Sequence, residues 1–397
     1  MSALRRISTR RLLAICAITV VAAIGVAAAA TAMTGGGPKP PPQPLANAVQ
    51  DALKAPDVPG ISARVEFTNH LVDASSIQGT DPLLAGASGR LWASPDGGGK
   101  LRLELQSEAG GGGDTQVLVS ENHFQIYDGS SETVYRGTLP EEDGKDPGAQ
   151  EHGIPGLAQI EAKIGEVEEH AELSGATPSD VAGQPTYTLH VAPKHDGGLL
   201  GGAEVAWDAN HGTPLRAAIY SSAGSSPVLQ LEATDVSFEA VPASTFEISP
   251  PAGAKVVDLN PSAESAGGHP QPTSKTGIDA VQKGLGFQLV APESLAGLPQ
   301  GEVRSIEIDG KTAALATYGK GLGGIAVLES ASEPGAEEPG SSDEGGLSLP
   351  KVSIDGAQGE ELDTALGTVL RFSRGGVDYV VIGSVPPAAA EAAARAL

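Results

Sequence analysis

Three runs of alternating apolar and polar residues constrain the fold of this chain more than any other feature. They cover residues 183–193, 205–216 and 236–253, always in the order of consecutive strands. Each run is closed by Gly, Pro, Asn or Asp, which is typical of antiparallel strands joined by turns. The runs therefore predict a β-meander in which one face of the sheet is apolar.

The same period of two recurs earlier in the chain. Leu101, Leu103 and Leu105 alternate with charged or polar neighbours, as expected for a strand that is buried on one face only. Gly- and Pro-rich breakers separate this strand from the others. The strands predicted in this part of the chain cover residues 61–67, 87–93, 101–106, 115–120, 123–128 and 133–137.

Two segments have the period of a helix instead. Residues 45–56 place Leu45, Val49 and Leu53 on one face and end at Pro56. Residues 154–170 carry the apolar stripe Leu157, Ile160, Ile164 and Val167. One meander interrupted by a helix predicts an α+β unit over residues 45–257, in which helices lie on one side of an antiparallel sheet.

Residues 258–276 have the composition of a linker, and a second unit is predicted over residues 277–397. It is interpreted as a small C-terminal α+β domain that ends in a helix at 386–397. An acidic insertion at 330–346 predicts a disordered loop. The strand-like runs of this unit are 286–292, 303–308, 312–318, 324–329, 368–373 and 377–383.

The N-terminus indicates export. Four arginines among residues 5–11 precede residues 12–33, which carry no charge. At about 1.5 Å per residue this segment would just span a bilayer. Residues 30–32 also fit a signal cleavage site, so residues 1–33 are either a single-pass membrane anchor with extracytoplasmic domains or the signal of a secreted protein. Residues 34–44 form a Gly/Pro linker.

The net charge and the cysteine content argue against two classes of function, nucleic-acid binding and thiol chemistry. The formal net charge of −24 disfavours nucleic acid as a partner, because the chain would repel phosphate backbones. The single cysteine, Cys16, lies in the N-terminal apolar run, so the rest of the chain has neither disulfides nor thiol chemistry.

Motifs for catalysis, cofactors or metals are missing from the sequence. It has no G-x-S-x-G, and its eight histidines show no H-E-x-x-H spacing. Residues 319–324 match G-x-G-x-x-G, but a strand-like run follows where a dinucleotide site needs a helix, so a hairpin turn is predicted. The acidic run 141–146 lacks the residue order of a calcium loop. The expectation is a protein that is not an enzyme and has no cofactor or metal.

Six phrases in a fixed order resemble the LolA-like superfamily, which includes lipoprotein carriers and RseB/MucB-type regulators of anti-sigma factors. The second unit resembles a small domain of unknown function in extracytoplasmic regulatory proteins of Gram-positive bacteria, through residues 286–292 and 379–383, and the chain is similar to an actinobacterial type. The six phrases lie at 89–92, 101–104, 125–128, 181–189, 207–216 and 246–253.

The resemblance implies an unclosed antiparallel β-barrel, a curved sheet covered by helices that holds a lipid or lipoprotein acyl chain. An alternative is a regulator that binds an anti-sigma factor or another membrane protein. The opposing interpretation is that the apolar sheet residues only pack against the helix at 157–167. The candidate lipid-binding residues are Phe67, Leu103, Leu105, Val117, Val119, Phe124, Ile126, Tyr187, Leu189 and Trp207.

Overall fold

A computed structural model gives the fold. It describes residues 37–72, 86–95, 99–107, 114–120, 122–138, 156–194, 197–248, 251–259, 275–308, 311–332 and 349–397. The predicted N-terminal segment 1–33, the acidic run 141–146 and most of the predicted linker and acidic insertion lie outside these residues. In the described part of the chain, no helix has the length and apolar character needed to cross a bilayer.

The first unit is a large antiparallel sheet with two described helices, α1 (Leu45–Lys54) and α2 (Leu157–Glu168). Its strands follow the order of the predicted ones. They are β1 (Ile61–Asn69), β2 (Ala87–Ser94), β3 (Lys100–Ser107), β4 (Thr115–Ser120), β5 (His123–Asp128), β6 (Thr133–Thr138), β7 (Ala171–Leu173), β8 (Thr177–Val181), β9 (Gln184–Pro193), β10 (Leu200–Asp208), β11 (Pro214–Ser221), β12 (Pro227–Ser237) and β13 (Lys255–Asp258).

Two meanders joined side by side build this sheet. The strand order is β13-β6-β5-β4-β3-β2-β1-β12-β11-β10-β9-β7, and β8 also pairs with β9. All pairs are antiparallel except β13 with β6. The sheet curls into a half-barrel with few helices, so the predicted unclosed barrel is confirmed at this level and the unit is mostly β.

The turn between β10 and β11 shows how a sequence phrase positions a helix. The buried Asp208 accepts hydrogen bonds at Oδ1 from the backbone N–H groups of Asn210 and His211, at 3.0 and 2.7 Å. Gly212 follows with φ +67°, and a Cβ at this position would lie 2.5 Å from the carbonyl oxygen of Ala52 in α1. Only glycine allows this turn to touch the end of α1.

The second unit is an eight-stranded antiparallel sheet in the order β14-β15-β16-β17-β21-β20-β19-β18. Helices α3 (Ile278–Gln282) and α4 (Pro387–Arg395) pack on one face of it, around Val327, Leu370 and Val381. The strands are β14 (Ser294–Leu295), β15 (Leu298–Ile308), β16 (Lys311–Tyr318), β17 (Ile325–Ala331), β18 (Lys351–Ile354), β19 (Ala357–Thr364), β20 (Gly367–Arg374) and β21 (Val377–Gly383).

The prediction of a strand at residues 286–292, between α3 and β14, is wrong. This segment is irregular, and side chains bind its backbone in place of a neighbouring strand. Gln282 donates from Nε2 to the carbonyl oxygen of Phe287 and accepts from the N–H of Leu289, both at 2.8 Å. The interpretation of residues 319–324 as a hairpin turn is confirmed, because a 3-10 turn at Gly321–Gly323 links β16 and β17.

Among the described residues, hydrogen bonds join the two units near Leu71 and near Leu199. The N–H of Ala365, between β19 and β20, donates to the carbonyl oxygen of Leu71 at 2.8 Å. The N–H of Leu199, before β10, donates to Ser384 Oγ at 2.9 Å. Residues just after β1 therefore rest on the second sheet, and the β9–β10 connection meets the end of β21.

The Gly212 contact predicts a stability difference between two glycine substitutions. Gly212→Ala adds both backbone strain and a clash with α1, whereas Gly175→Ala, at φ +74° with nothing within 4 Å of the added Cβ, adds strain alone. We expect Gly175→Ala to lower the free energy of unfolding by about 1 kcal/mol and Gly212→Ala by roughly twice that or more. Denaturant unfolding of both variants checks this, and equal losses would contradict the close approach to α1.

Glu329 predicts a pH dependence of the second unit. Burial raises the pKa of Glu329 from 4.5 to about 7, although the N–H of Val290 donates to its Oε2 at 3.0 Å. Tyr318 and Tyr379 face it, and the charge of Glu329 contributes to raising the pKa of each. Because the folded pKa is the higher one, the protonated form stabilises the fold below about pH 4.5. This stability is lost as the pH rises towards about 7, and the loss is on the order of 3 kcal/mol.

Urea unfolding at pH 5 and pH 8 measures this effect through a neutral variant. Glu329→Gln keeps the acceptor for Val290 and removes the titration, so the variant should gain stability relative to the wild type between pH 5 and pH 8. Glu302→Gln, at an exposed site of the same unit, is the matched control and should leave the difference constant. A constant difference for Glu329→Gln as well would contradict a protonated Glu329 in the fold.

Candidate functional site

The ten predicted residues lie on one face of the first sheet. Directly opposed residues in antiparallel strands share a face, and the register links them in rows across the sheet. Leu103 opposes Val117, which opposes Ile126, and Val119 opposes Phe124. A second row joins Phe67 through β12, β11 and β10 to Leu189. We call this surface the apolar face; besides the residues just named it includes Leu105, Tyr187 and Trp207.

Helix α1 covers one end of the apolar face. Tyr187 and Trp207 pack against Ala48, with ring centroids 6.1 Å apart and Leu189 beside them. The hydroxyl of Tyr187 donates to the carbonyl oxygen of Pro41 at 2.7 Å, so the residues that precede α1 also rest on this end. Burial, with Asp51 as a lesser cause, raises the pKa of Tyr187. These three predicted residues therefore have a partner within the chain.

No residue of α2 belongs to the two described apolar clusters that contain candidate residues of this face. Helix α2 packs on α1 and on β7, and Ile160 is its buried residue. Val167, predicted for the apolar stripe, is 47% exposed. The stripe predicted for α1 is also incorrect at Leu53, which is 50% exposed, because the helix places smaller side chains on the aromatic rings.

The middle of the apolar face is built by strands. Val65, Leu103 and Leu105 are its buried centre, and Phe67 and Val117 pack around them half-buried. All described members of this cluster belong to β1, β2, β3, β4 and β12. Within the part of the chain that the structure describes, no helix residue packs against it.

The face continues to β5 and β6. Ile126 is buried opposite Tyr135, while Val119 and Phe124 are half-buried at the row nearest the β4–β5 turn. Phe67, Val117, Val119 and Phe124 are thus the predicted residues that keep accessible surface away from α1. They form the accessible strip of the apolar face.

On the opposite face of the same sheet, β10, β11 and β12 carry a network of paired polar residues. Arg216 donates to Glu204, which is 2% exposed, and the hydroxyl of Tyr220 donates to the same carboxylate at 2.5 Å. Burial raises the pKa of Glu232, although Arg216 lies 3.7 Å away. No motif in the sequence predicts this network. The only sequence signal for it is that these residues occupy alternate positions of neighbouring strands.

A cavity of about 560 Å³ lies on this polar side, at the open end of β9, β10 and β11. His190, Tyr220 and the Gly-rich residues that open β10 line it. His190 points to the face opposite Leu189, and its ring lies edge-on to that of Tyr220, with the ring centroids 6.4 Å apart. Lys194, also in the lining, donates to the carbonyl oxygen of Glu168. Among the described residues, no group of three His, Cys, Asp or Glu is placed to hold a metal ion.

No protein-family profile and no curated protein sequence matches this chain. Among solved structures it is similar to a chain of the Pseudomonas aeruginosa MucA/MucB complex, with a TM-score of 0.42 and 16% identity over 88% of this chain and 95% of that one. A putative outer membrane lipoprotein-sorting protein domain from Vibrio parahaemolyticus gives a TM-score of 0.24 and 14% identity over 51% and 95% of the two chains.

A LolA superfamily protein from Nitrosomonas europaea gives a TM-score of 0.21 and 10% identity over 52% of this chain and 99% of that one. These solved structures include MucB and a LolA superfamily protein, the two kinds of protein that the sequence phrases resemble.

Proposed function

We propose that this chain is an extracytoplasmic, membrane-associated, non-enzymatic binding protein whose first unit holds an acyl chain of a lipid or lipoprotein. The observation that supports this most is the accessible strip, a set of large apolar side chains on a continuous sheet face away from α1. A contiguous apolar surface of this kind marks a site for a ligand or a partner.

The energetics of a hydrocarbon ligand fit such a strip. Each methylene removed from water contributes about 0.8 kcal/mol, so a 14-carbon chain could contribute on the order of 10 kcal/mol. Leu103 and Leu105, which are 3% and 2% exposed, form the floor and leave contact with the ligand to the half-buried residues around them. In this proposal Tyr187, Leu189 and Trp207 position α1 at the border of the site.

The alternative is a regulator that binds the exterior segment of an anti-sigma factor. Both functions need an apolar surface outside the cytoplasm, and they differ in what the surface recognises. A lipid carrier needs the acyl group of its ligand, whereas a regulator recognises a polypeptide. Comparing an acylated peptide with the same peptide lacking its acyl chain separates the two.

Neighbouring residues of β4 provide a matched test. Val119 belongs to the accessible strip, and Leu118, equally half-buried, points to the opposite face. We expect the full chain to bind a myristoylated fluorescent peptide, and Val119→Asp to weaken this binding about tenfold or more, because a carboxylate against hydrocarbon is unfavourable. Leu118→Asp should leave the affinity unchanged. Fluorescence anisotropy measures the affinities, and circular dichroism confirms that both variants fold.

Two outcomes would contradict the lipid function. Equal affinity for the acylated and the non-acylated peptide would favour the regulator. Equal weakening by Val119→Asp and Leu118→Asp would show that the affinity reflects the stability of the sheet and not contact with the strip.

A further inference from the structure

The second sheet is apolar on both faces. Its helices, α3 and α4, pack on the face that carries Val327, Leu370 and Val381. The alternate residues of the same strands point to the other face, and the register places them next to each other. We call this second surface the outer patch; its residues are Leu315, Ala326, Leu328, Leu362, Val369, Val380 and Ile382.

An antiparallel sheet with one face towards water normally alternates apolar and polar residues. The outer patch departs from this rule on neighbouring strands. Ile382 is 48% exposed, while Leu315, Leu328 and Val380 are half-buried. The pattern is that of a sheet with a third layer, and both described helices of this unit lie on the opposite face.

One end of the outer patch is already an interface. Leu71 and Val72 of the first unit pack on Leu362 and Val369, with Leu349 beside them. The exposed remainder, around Ile382, is continuous with this contact through the Val369–Ile382 pair. The outer patch therefore binds apolar side chains from another element at one end. Its other end, around Ile382, stays exposed.

Basic side chains stand at both ends of the central row of the patch. This row runs from Arg304 through Leu315, Leu328 and Val380 to Arg371. Arg371 pairs with Glu360 on the next strand, whereas Arg304 forms no ion pair with a described residue. Arg304 is exposed at its end of the row, and its charge therefore favours an acidic residue of a partner at that end.

The sequence of the connection between β17 and β18 offers little apolar area. It leaves at Ser332, whose hydroxyl donates to Asp378 at 2.6 Å, and returns at Leu349. Residues 333–348 lie outside the described part of the chain, and their sequence offers a single large apolar side chain, Leu347, among five acidic ones. One leucine offers much less apolar area than the seven residues of the outer patch.

We propose that the outer patch is the docking surface for an amphipathic helix of a partner protein, with an acidic residue near the end of that helix that meets Arg304. Four strand spacings separate the two arginines, about 19 Å. A helix of about 13 residues has this length. A helix is the element that most commonly forms a third layer on a sheet. This surface is separate from the apolar face of the first unit and serves a polypeptide, whichever ligand that face holds.

The test uses the purified full chain and two synthetic helices of about 14 residues. Both carry one leucine stripe, and they differ only in having glutamates or lysines at their ends. We expect the glutamate-ended helix to bind more tightly. Ile382→Asp should weaken it about tenfold or more, because the new carboxylate would be buried without a partner. Arg304→Glu should reduce the preference for glutamate ends about threefold or more.

A matched control separates docking from general surface effects. Leu322→Asp replaces another exposed leucine-sized side chain of the second unit, 58% exposed in the turn between β16 and β17 and outside the patch. It should leave peptide affinity unchanged. Equal effects of Leu322→Asp and Ile382→Asp, or equal affinity for both peptides, would overturn the proposal.

Two further measurements test whether a second copy of this chain or a lipid surface covers the outer patch. Sedimentation of the full chain that shows a dimer lost on Ile382→Asp would assign the patch to a second copy and overturn the proposal. Binding to phosphatidylcholine vesicles that is lost on Ile382→Asp would assign it to a lipid surface, with the same consequence. A monomer that binds the glutamate-ended peptide through Ile382 supports the partner helix.

Discussion

The pairing of β1 with β12 is the interaction on which the first unit depends. It joins the meander β2–β6 to the meander β9–β11, and only with this pairing does one apolar face run across both. The register contains a bulge: Ala63 opposes Val236 and Val65 opposes Ala233, although these β12 residues are three apart. Strict alternation would put Ala233 and Val236 on opposite faces. The extra residue at Thr234 corrects this, and both apolar contacts are kept.

Helix α1 then divides that face. It approaches the aromatic pair Tyr187 and Trp207 through Ala48 and Ala52, whose small side chains allow a short distance between helix and sheet. Leu53 points away from the sheet as a result. The helix therefore fills the end of the face where the side chains are largest, and the end with valines, leucines and phenylalanines has no described helix above it.

The sequence revealed the strands whose two faces differ in polarity. β4 and β5 have the predicted bounds, and the ten candidate residues share a face because period two fixes orientation wherever a strand is regular. β19 was missed, since Glu360 and Glu361 are adjacent and both buried, so no alternation is visible. The segment before β14 looked like a strand because it is apolar, yet its backbone is bound by side chains such as Gln282. Only tertiary contacts decide such cases.

Strand β21 shows what apolar content means when alternation is absent. Tyr379 and Val381 point to the helices, and Val380 and Ile382 point away. A strand that is apolar on both faces belongs between two layers. In the first unit, the second face of the sheet needs no such layer at β10 and β11, because polar residues such as Glu204 and Arg216 occupy it. In the second unit, the outer patch contains more apolar residues than its contacts with Leu71 and Val72 bury. The apolar residues of the outer patch that contact neither Leu71 nor Val72 are therefore not explained by the stability of the isolated chain.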